Sequence, residues 1–410
     1  MKKIRKEINK ILNLYSKKNQ KKKFHYPLLD DAFSNEDILK AVEVLFRKKL
    51  TMGEITRRFE YEFAKFIGVK HALMVNSGSS ANLLAAFALV NPKKKNFLKR
   101  DDEFIIQSLC WSTSLWPMIQ AGLKPKFVDV ELKNFNINVE SLKKKISKKT
   151  KAIMAVHVLG CSSNIQEISN ISKKNNIYLI EDTCESLGAK FNKKFLGTFG
   201  DFGTFSFYYS HQITSGEGGM IVCNSRKDFE IIESLRAHGW DRGINKKNNK
   251  SFNFINSGFN VRPLDITAAI GLNQFKRLNK FKRIRNENRK KIINTLQKAK
   301  LWNDQFTFTE FSNKQKPSWF GLPILINKKF VNKKKKYLEH LNRVGIETRP
   351  ILSGNFMNQP SIKLYKLNPN KEKFNNSQEI DNRGFFIGLH TEPITSENLR
   401  ILVKNLLIIK

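Results

Sequence analysis

Three short segments carry residues able to hold an anionic, aromatic small molecule. Asn76-Ser77-Gly78-Ser79-Ser80-Ala81-Asn82 follows a short apolar run and opens a helix-forming stretch. Small residues there let backbone N–H groups close on an anion, the helix dipole favours negative charge, and the serine hydroxyls add donors. Alone, such a segment is as readily a plain serine-rich cap. Ile180-Glu181-Asp182-Thr183-Cys184-Glu185 ends a second apolar run, and strand ends are where open α/β sheets bind ligands. A carboxylate there can pair with a protonated pyridine nitrogen and keep the ring an electron sink. Asp182 is the expected partner, against the plainer reading of an aspartate that caps a turn. Glu185, one turn on, either faces a phenolic oxygen of the ring or sits in solvent at a helix start.

The third segment, Ser206-Phe207-Tyr208-Tyr209-Ser210-His211-Gln212-Ile213-Thr214-Ser215-Gly216-Glu217-Gly218-Gly219, offers Ser206 as another anion donor and His211 as a proton shuttle. Trp111, in Cys110-Trp111-Ser112-Thr113, either stacks on the bound ring or packs in the core. His238, in Arg236-Ala237-His238-Gly239-Trp240, is open between a helix-dipole partner and a pocket residue. Asn260, before Val261-Arg262-Pro263, offers a side-chain donor to a phosphate.

The elements that must position these residues alternate strand and helix. Ser34 and Asp37 form a capping box ahead of a helical run at 36–49, and an amphipathic helix at 54–67 leads into the strand Ala72-Leu73-Met74-Val75. Strands are predicted near 103–107, 125–131, 151–157, 177–182, 203–208 and 218–223. Helices fall at 114–121, 138–148, 165–175 and 227–238. The pattern predicts a mostly parallel α/β sheet. Residues 1–27 read as a basic N-terminal arm, 28–262 as a large ligand-binding domain and 263–299 as a linking helical region. Residues 300–410 read as a small α+β domain with a strand at 319–326 and helices at 330–344 and 396–409. The polar stretch 241–257 reads as a loop or hairpin.

The chain has 410 residues, 40% of them hydrophobic, and a formal net charge of +38. No run approaches the roughly 20 apolar residues of a membrane span, and only Ile11-Leu12-Asn13-Leu14-Tyr15 follows the lysine-rich start, so neither a span nor a secretory signal is expected. Lysine runs such as Lys93-Lys95 and Lys333-Lys336 are spread along the chain without interleaved aromatics. They read as solvated surface rather than a nucleic-acid site. Cys110, Cys161, Cys184 and Cys223 lack C-x-x-C spacing. They read as core residues of a reduced, cytoplasmic protein.

Together these segments resemble the DegT/StrS-type sugar-nucleotide aminotransferases of pyridoxal phosphate (PLP) fold type I, from about residue 28 onward. Leu50-Thr51-Met52-Gly53-Glu54, Gly258-Phe259-Asn260-Val261-Arg262-Pro263-Leu264, Ser318-Trp319-Phe320-Gly321 and Arg349-Pro350-Ile351-Leu352-Ser353-Gly354-Asn355-Phe356 add to the likeness. In that family the sixth residue, counted from Ser206, is a lysine that tethers PLP covalently; here it is His211. The chain is therefore similar to the family's lysine-lacking 3-dehydratases. The resemblance implies a seven-stranded sheet in the large domain and PLP or its amine form, pyridoxamine phosphate (PMP), as cofactor. It also implies a nucleotide sugar and L-glutamate as reactants. Gly78, Ser79, Trp111, Asp182, Glu185, Ser206 and Asn260 would bind the cofactor, with His211 and His238 catalytic and Arg349 on the nucleotide sugar. A homodimer with shared active sites is implied, in which Phe252 and Asn260 serve the neighbouring site. One lysine-lacking relative carries an iron–sulfur cluster on clustered cysteines; with none after Cys223, no cluster is expected here. Two departures stand out: Gln212 occupies a place often held by a second histidine, and Gly216-Glu217-Gly218-Gly219 is aminotransferase-like. An aminotransferase, or a non-catalytic protein of this fold, are the rival readings.

Overall fold

The computed structural model describes residues 2–18, 24–29, 33–241 and 252–409. Seven strands form the main sheet: β1 (His71–Val75), β2 (Glu103–Gln107), β3 (Lys124–Val128), β4 (Thr150–Val156), β5 (Tyr178–Asp182), β6 (Phe202–Ser206) and β7 (Gly219–Cys223). Their order is β1-β7-β6-β5-β4-β2-β3. Strand β7 runs antiparallel to both neighbours, and the other pairs are parallel. Helices cover both faces, so the central strands are apolar almost throughout rather than alternating. That covering is why their sequences read as short continuous hydrophobic runs.

The capping box at Ser34 and Asp37 is formed and starts the helix Asn35–Arg47. Asp37 does more than cap. Its buried carboxylate also accepts from Asn273, Gln274 and Arg277, which locks this helix to the region after Pro263. That region, expected as one linking stretch, is two helices, Asp265–Phe275 and Leu278–Lys298. The second helix joins two cores. Leu278 and Phe281 pack with Phe59, Phe63, Phe205 and Phe207, whereas Ile292 and Leu296 pack with Trp319, Ile324 and Phe385.

Beyond it lies a four-stranded antiparallel sheet of β8 (Phe306–Phe308), β9 (Gly321–Ile326), β10 (Thr348–Arg349) and β11 (Gly384–Gly388), ordered β8-β9-β11-β10. Of these strands the sequence pattern predicts β9 alone; the others are very short or bounded by glycine at both ends. The helix expected at 330–344 begins as a tight turn, Lys328–Lys333, before Lys334–Arg343.

The basic arm contains the helix Lys2–Lys18, whose Arg5 pairs with Glu36 and Glu43. Further on, Tyr26 bridges to Ile346 and stacks on His390 at 4.3 Å, so the arm ends tied to the small sheet. The solvated-lysine reading needs one correction. Lys94 is buried against Asp228 at 2.5 Å, since an ion pair offsets the cost of removing its charge from water. Residues 242–251 of the expected hairpin lie outside the described residues.

Candidate active site

The ends of β4, β5 and β6, with the segment after β2, open into a cavity of about 740 Å³. Ser77 caps the helix Gly78–Leu89 by accepting from the Ser80 N–H. Gly78 sits hard against the end of β6. A Cβ there would lie 2.5 Å from Ser206 Cβ and 2.9 Å from Cys184 Sγ. Only glycine lets the helix start approach this closely, and the result is a cradle of Gly78, Ser79 and Ser206 at a positive helix end. The Ser79 hydroxyl donates to Thr113 at 3.0 Å.

Asp182, the last residue of β5, is 4% exposed and lines the cavity. Its Oδ2 accepts from Asn82 Nδ2 at 2.8 Å and from Ser114 Oγ at 2.7 Å, and its Oδ1 accepts from the Cys184 N–H at 3.1 Å. The turn-capping alternative is therefore partly realised, but the cap uses one oxygen of a carboxylate that also faces the cavity. Trp111 is 53% exposed on the cavity wall, which removes the core alternative. The preceding residue explains this: Cys110 takes the core position, so the next side chain points outward.

Glu185 lines the cavity rather than standing in solvent. Its Oε2 accepts from the Leu159 N–H at 2.9 Å. Burial pushes its carboxyl up to about 8, with Asp182 adding to the rise against that N–H. At neutral pH it is a proton-bearing donor. Activity that needs this donor should fall as pH rises through about 8, and Glu185→Gln, which donates at every pH, should lose that alkaline limb. A pH profile of kcat/KM for both forms checks this; a limb that persists in the variant belongs to another group.

His211 lies in the turn after β6, edge-on to Phe320 at 5.1 Å and to Tyr208 at 5.9 Å between ring centroids. Its Nδ1 is buried without a hydrogen-bond partner. Burial, aided by the Arg285 guanidinium, holds the imidazole down to about 3. It is therefore a neutral base across the physiological range. Among the described residues that line the cavity there is no lysine. Arg349 stands on the cavity wall, donating to Glu347 at 3.1 Å.

Three expected residues are not brought into this chain's cavity. His238 is exposed, with a φ of 63°, and its N–H donates to Phe259 O rather than capping the helix that ends at Arg236. Asn260, also exposed, accepts from Arg262, and Phe252 stacks on Trp240 at 5.3 Å. They gather on a separate surface.

Other wall residues escaped the sequence reading. Asn82, one helical turn beyond Gly78, and Ser114, just after Trp111, orient Asp182; their only signal was adjacency to recognised segments. Cys184 lines the cavity, unlike the three buried cysteines. Leu28 and Leu29 close one side, held by Glu347 Oε2 accepting from the Leu28 N–H at 3.1 Å. No local pattern marks such a crossing segment.

An anion cradle at a helix start, an oriented carboxylate at a central strand end and an exposed indole on the same wall define an α/β enzyme of the PLP-dependent aminotransferase fold. Residues 32–406 match the DegT/DnrJ/EryC1/StrS aminotransferase family, and the chain belongs to it. It is 39% identical over 388 residues to the GDP-4-keto-6-deoxy-D-mannose 3-dehydratase of Escherichia coli O55:H7, covering 91% of this chain and 97% of the relative. Among solved structures, an E. coli GDP-4-keto-6-deoxy-D-mannose 3-dehydratase with bound hydrated PLP superposes with a TM-score of 0.86 at 38% identity, covering 93% of this chain and 99% of the other. A second structure of such an enzyme, holding a trapped PLP–glutamate geminal diamine, gives a TM-score of 0.85 at 37% identity, covering 93% and 100%.

Proposed function

We propose that this protein is a PLP/PMP-dependent 3-dehydratase of a nucleoside-diphosphate 4-keto-6-deoxyhexose, with GDP-4-keto-6-deoxy-D-mannose as the favoured substrate and L-glutamate as amino donor. The product would be a 3,6-dideoxy-4-ketosugar for surface polysaccharide. The observation that carries this reading is His211, a neutral imidazole on a cavity wall that bears no lysine among the described residues.

The residues present fit the cofactor. The cradle that a Cβ at Gly78 would fill suits a phosphate, and the Asp182 side chain, with three donors fixing its orientation, suits a protonated ring nitrogen. Trp111 would cover the ring face and Glu185 would donate to its phenolic oxygen. Bound here, the cofactor supplies an amine that condenses with the sugar ketone and a ring that accepts electrons. The chain's own part is to orient and to move protons. His211, uncharged before reaction, would accept the proton given up by the carbon that bears the cofactor's amine and would then deliver it to the C3 hydroxyl oxygen as that group leaves as water. The burial that favours the neutral imidazole also favours its passing the proton on. Arg349 stands ready for an anionic part of the nucleotide sugar.

The chain is read as a cytoplasmic homodimer in which each protomer completes its partner's site. Support comes from the surface where His238 and Asn260 gather: Phe252 there is 68% exposed and Phe254 60%. Among the described residues, no helix is long and apolar enough to cross a membrane.

The test is incubation with PMP, glutamate and GDP- or CDP-linked 4-ketosugars, with products read by mass. A 3-deoxy ketosugar is expected, and an aminosugar would favour the aminotransferase reading. Borohydride treatment of the PLP-loaded protein should leave no cofactor attached to the chain. A pyridoxyl adduct mapped to any lysine of the cavity region would overturn the role given to His211.

A further inference from the structure

Resting on the reading of His211 as the proton carrier, we infer that Gln212 is the residue that positions it. The imidazole has little else to aim it. In many nucleophile or base arrangements a third group grips the far ring nitrogen, but here Nδ1 is buried without a partner. The ring is held by two aromatic edges, and its backbone by a bond from its own N–H to Tyr208 O and a 3.5 Å contact from Arg285 Nη2 to its carbonyl. The next residue supplies a much firmer anchor.

Gln212 is 2% exposed. Its Nε2 donates to two carbonyls at once, those of Glu185 and of Ser318, the latter at 3.0 Å. These carbonyls belong to separate segments: the loop after β5 that carries Glu185, and the strand entry that carries Phe320 against His211. Both are themselves locked to a third loop. The Ser318 N–H donates to Gly160 O at 2.9 Å, and the Leu159 N–H donates to the Glu185 carboxylate. A Cβ at Gly160 would lie 2.1 Å from Ser318 O, so these backbones meet without slack.

One amide nitrogen with two N–H groups is what this place requires, and Gln212 uses the donor half alone; its Oε1 is buried without a partner. Leaving that oxygen unbonded carries a cost of its own. A residue retained for packing alone would be better served by leucine. The arrangement therefore fixes the His211 backbone against the two segments that flank the reacting centre.

The test compares Gln212→Leu and Gln212→Glu with the wild type and His211→Asn, all as full-length protein with folding followed by circular dichroism and thermal melting. Misplacement of a reacting group by about 1 Å can cost on the order of 10²-fold in rate. Gln212→Leu should therefore lower kcat roughly 10- to 100-fold while KM and PMP affinity stay within about threefold. Gln212→Glu, buried against two carbonyls, keeps one donor only while protonated, so its turnover should fall further as pH rises through its raised pKa. In the cofactor-free protein, NMR titration of the His211 imidazole should move from its depressed value toward the ordinary one near 6.5 once the loop admits water. Wild-type kcat and titration in both variants, with only the melting temperature lowered, would reduce Gln212 to a packing residue. Loss of PMP affinity with kcat intact would likewise overturn the inference. If His211→Asn itself keeps wild-type turnover, the functional reading fails instead.

Discussion

His211→Asn is expected to bind PMP and the sugar nucleotide about as tightly as the wild type while 3-deoxy product formation falls by roughly 10²–10⁴-fold or more. That range is the usual worth of one positioned acid–base group, and here one residue is assigned two successive proton transfers. Asparagine preserves a polar side chain of similar size but exchanges no proton near neutral pH. The contacts proposed to hold the ligands lie elsewhere on the cavity wall, on Gly78, Ser79, Trp111 and Asp182, so binding and turnover should separate cleanly. Single-turnover measurements with PMP-loaded protein, read by mass, would display this. His211→Lys should instead permit a covalent tether and shift the chain toward amino transfer. Near wild-type dehydration by His211→Asn would place the base elsewhere, and His238 of a second protomer would become the candidate.

How much of this was legible in the sequence depended on the range of the interaction. Strands β2 and β5 and the helix starting after Ser34 follow from short-range rules, because apolar runs, capping residues and flanking turns all lie within a few positions. The cradle was legible too, because serine and glycine at a strand-to-helix junction bring small side chains and backbone donors together within a few positions. What the sequence could not display was arrangement at long separation. Nothing near Leu28 announces that it will line the cavity, since the cause is Glu347, 319 positions further along the chain. His238, Asn260 and Phe252 are conspicuous in sequence, yet they gather on an outer face where a single chain gives them no ligand to meet. The position of Gln212 shows the same limit, because both carbonyls it grips come from other segments.

The adjacent acids Glu181 and Asp182 should fail in opposite ways, and this contrast gives the second large effect. Successive side chains of a strand point to opposite faces, so β5 sends Asp182 toward the cavity and Glu181 away from it. Glu181 is fully buried and accepts from the N–H groups of Gly197, Phe199 and Gly200 at 2.9, 2.6 and 2.9 Å, while its Oε2 lies 3.0 Å from His157 Nε2. It organises the loop between β5 and β6. Glu181→Ala strands three backbone donors and a histidine in the interior, and removing one partner of such a buried group costs about 3–5 kcal/mol. Chemical denaturation at fixed protein concentration should register that loss, with poor soluble yield as its practical form. Asp182→Asn keeps an acceptor for Asn82 and Ser114 and should cost no more than about 1–3 kcal/mol. It replaces the carboxyl group, however, and with it the group proposed to pair with a protonated ring nitrogen. Cofactor affinity should drop, and turnover should fall on the order of 10²–10³-fold, the scale for losing one preorganised electrostatic contact. Measuring stability and PMP affinity on both variants decides the assignment. If Asp182→Asn binds PMP normally while unfolding more readily than Glu181→Ala, Asp182 is a turn residue and the cofactor's partner must be sought elsewhere on the cavity wall.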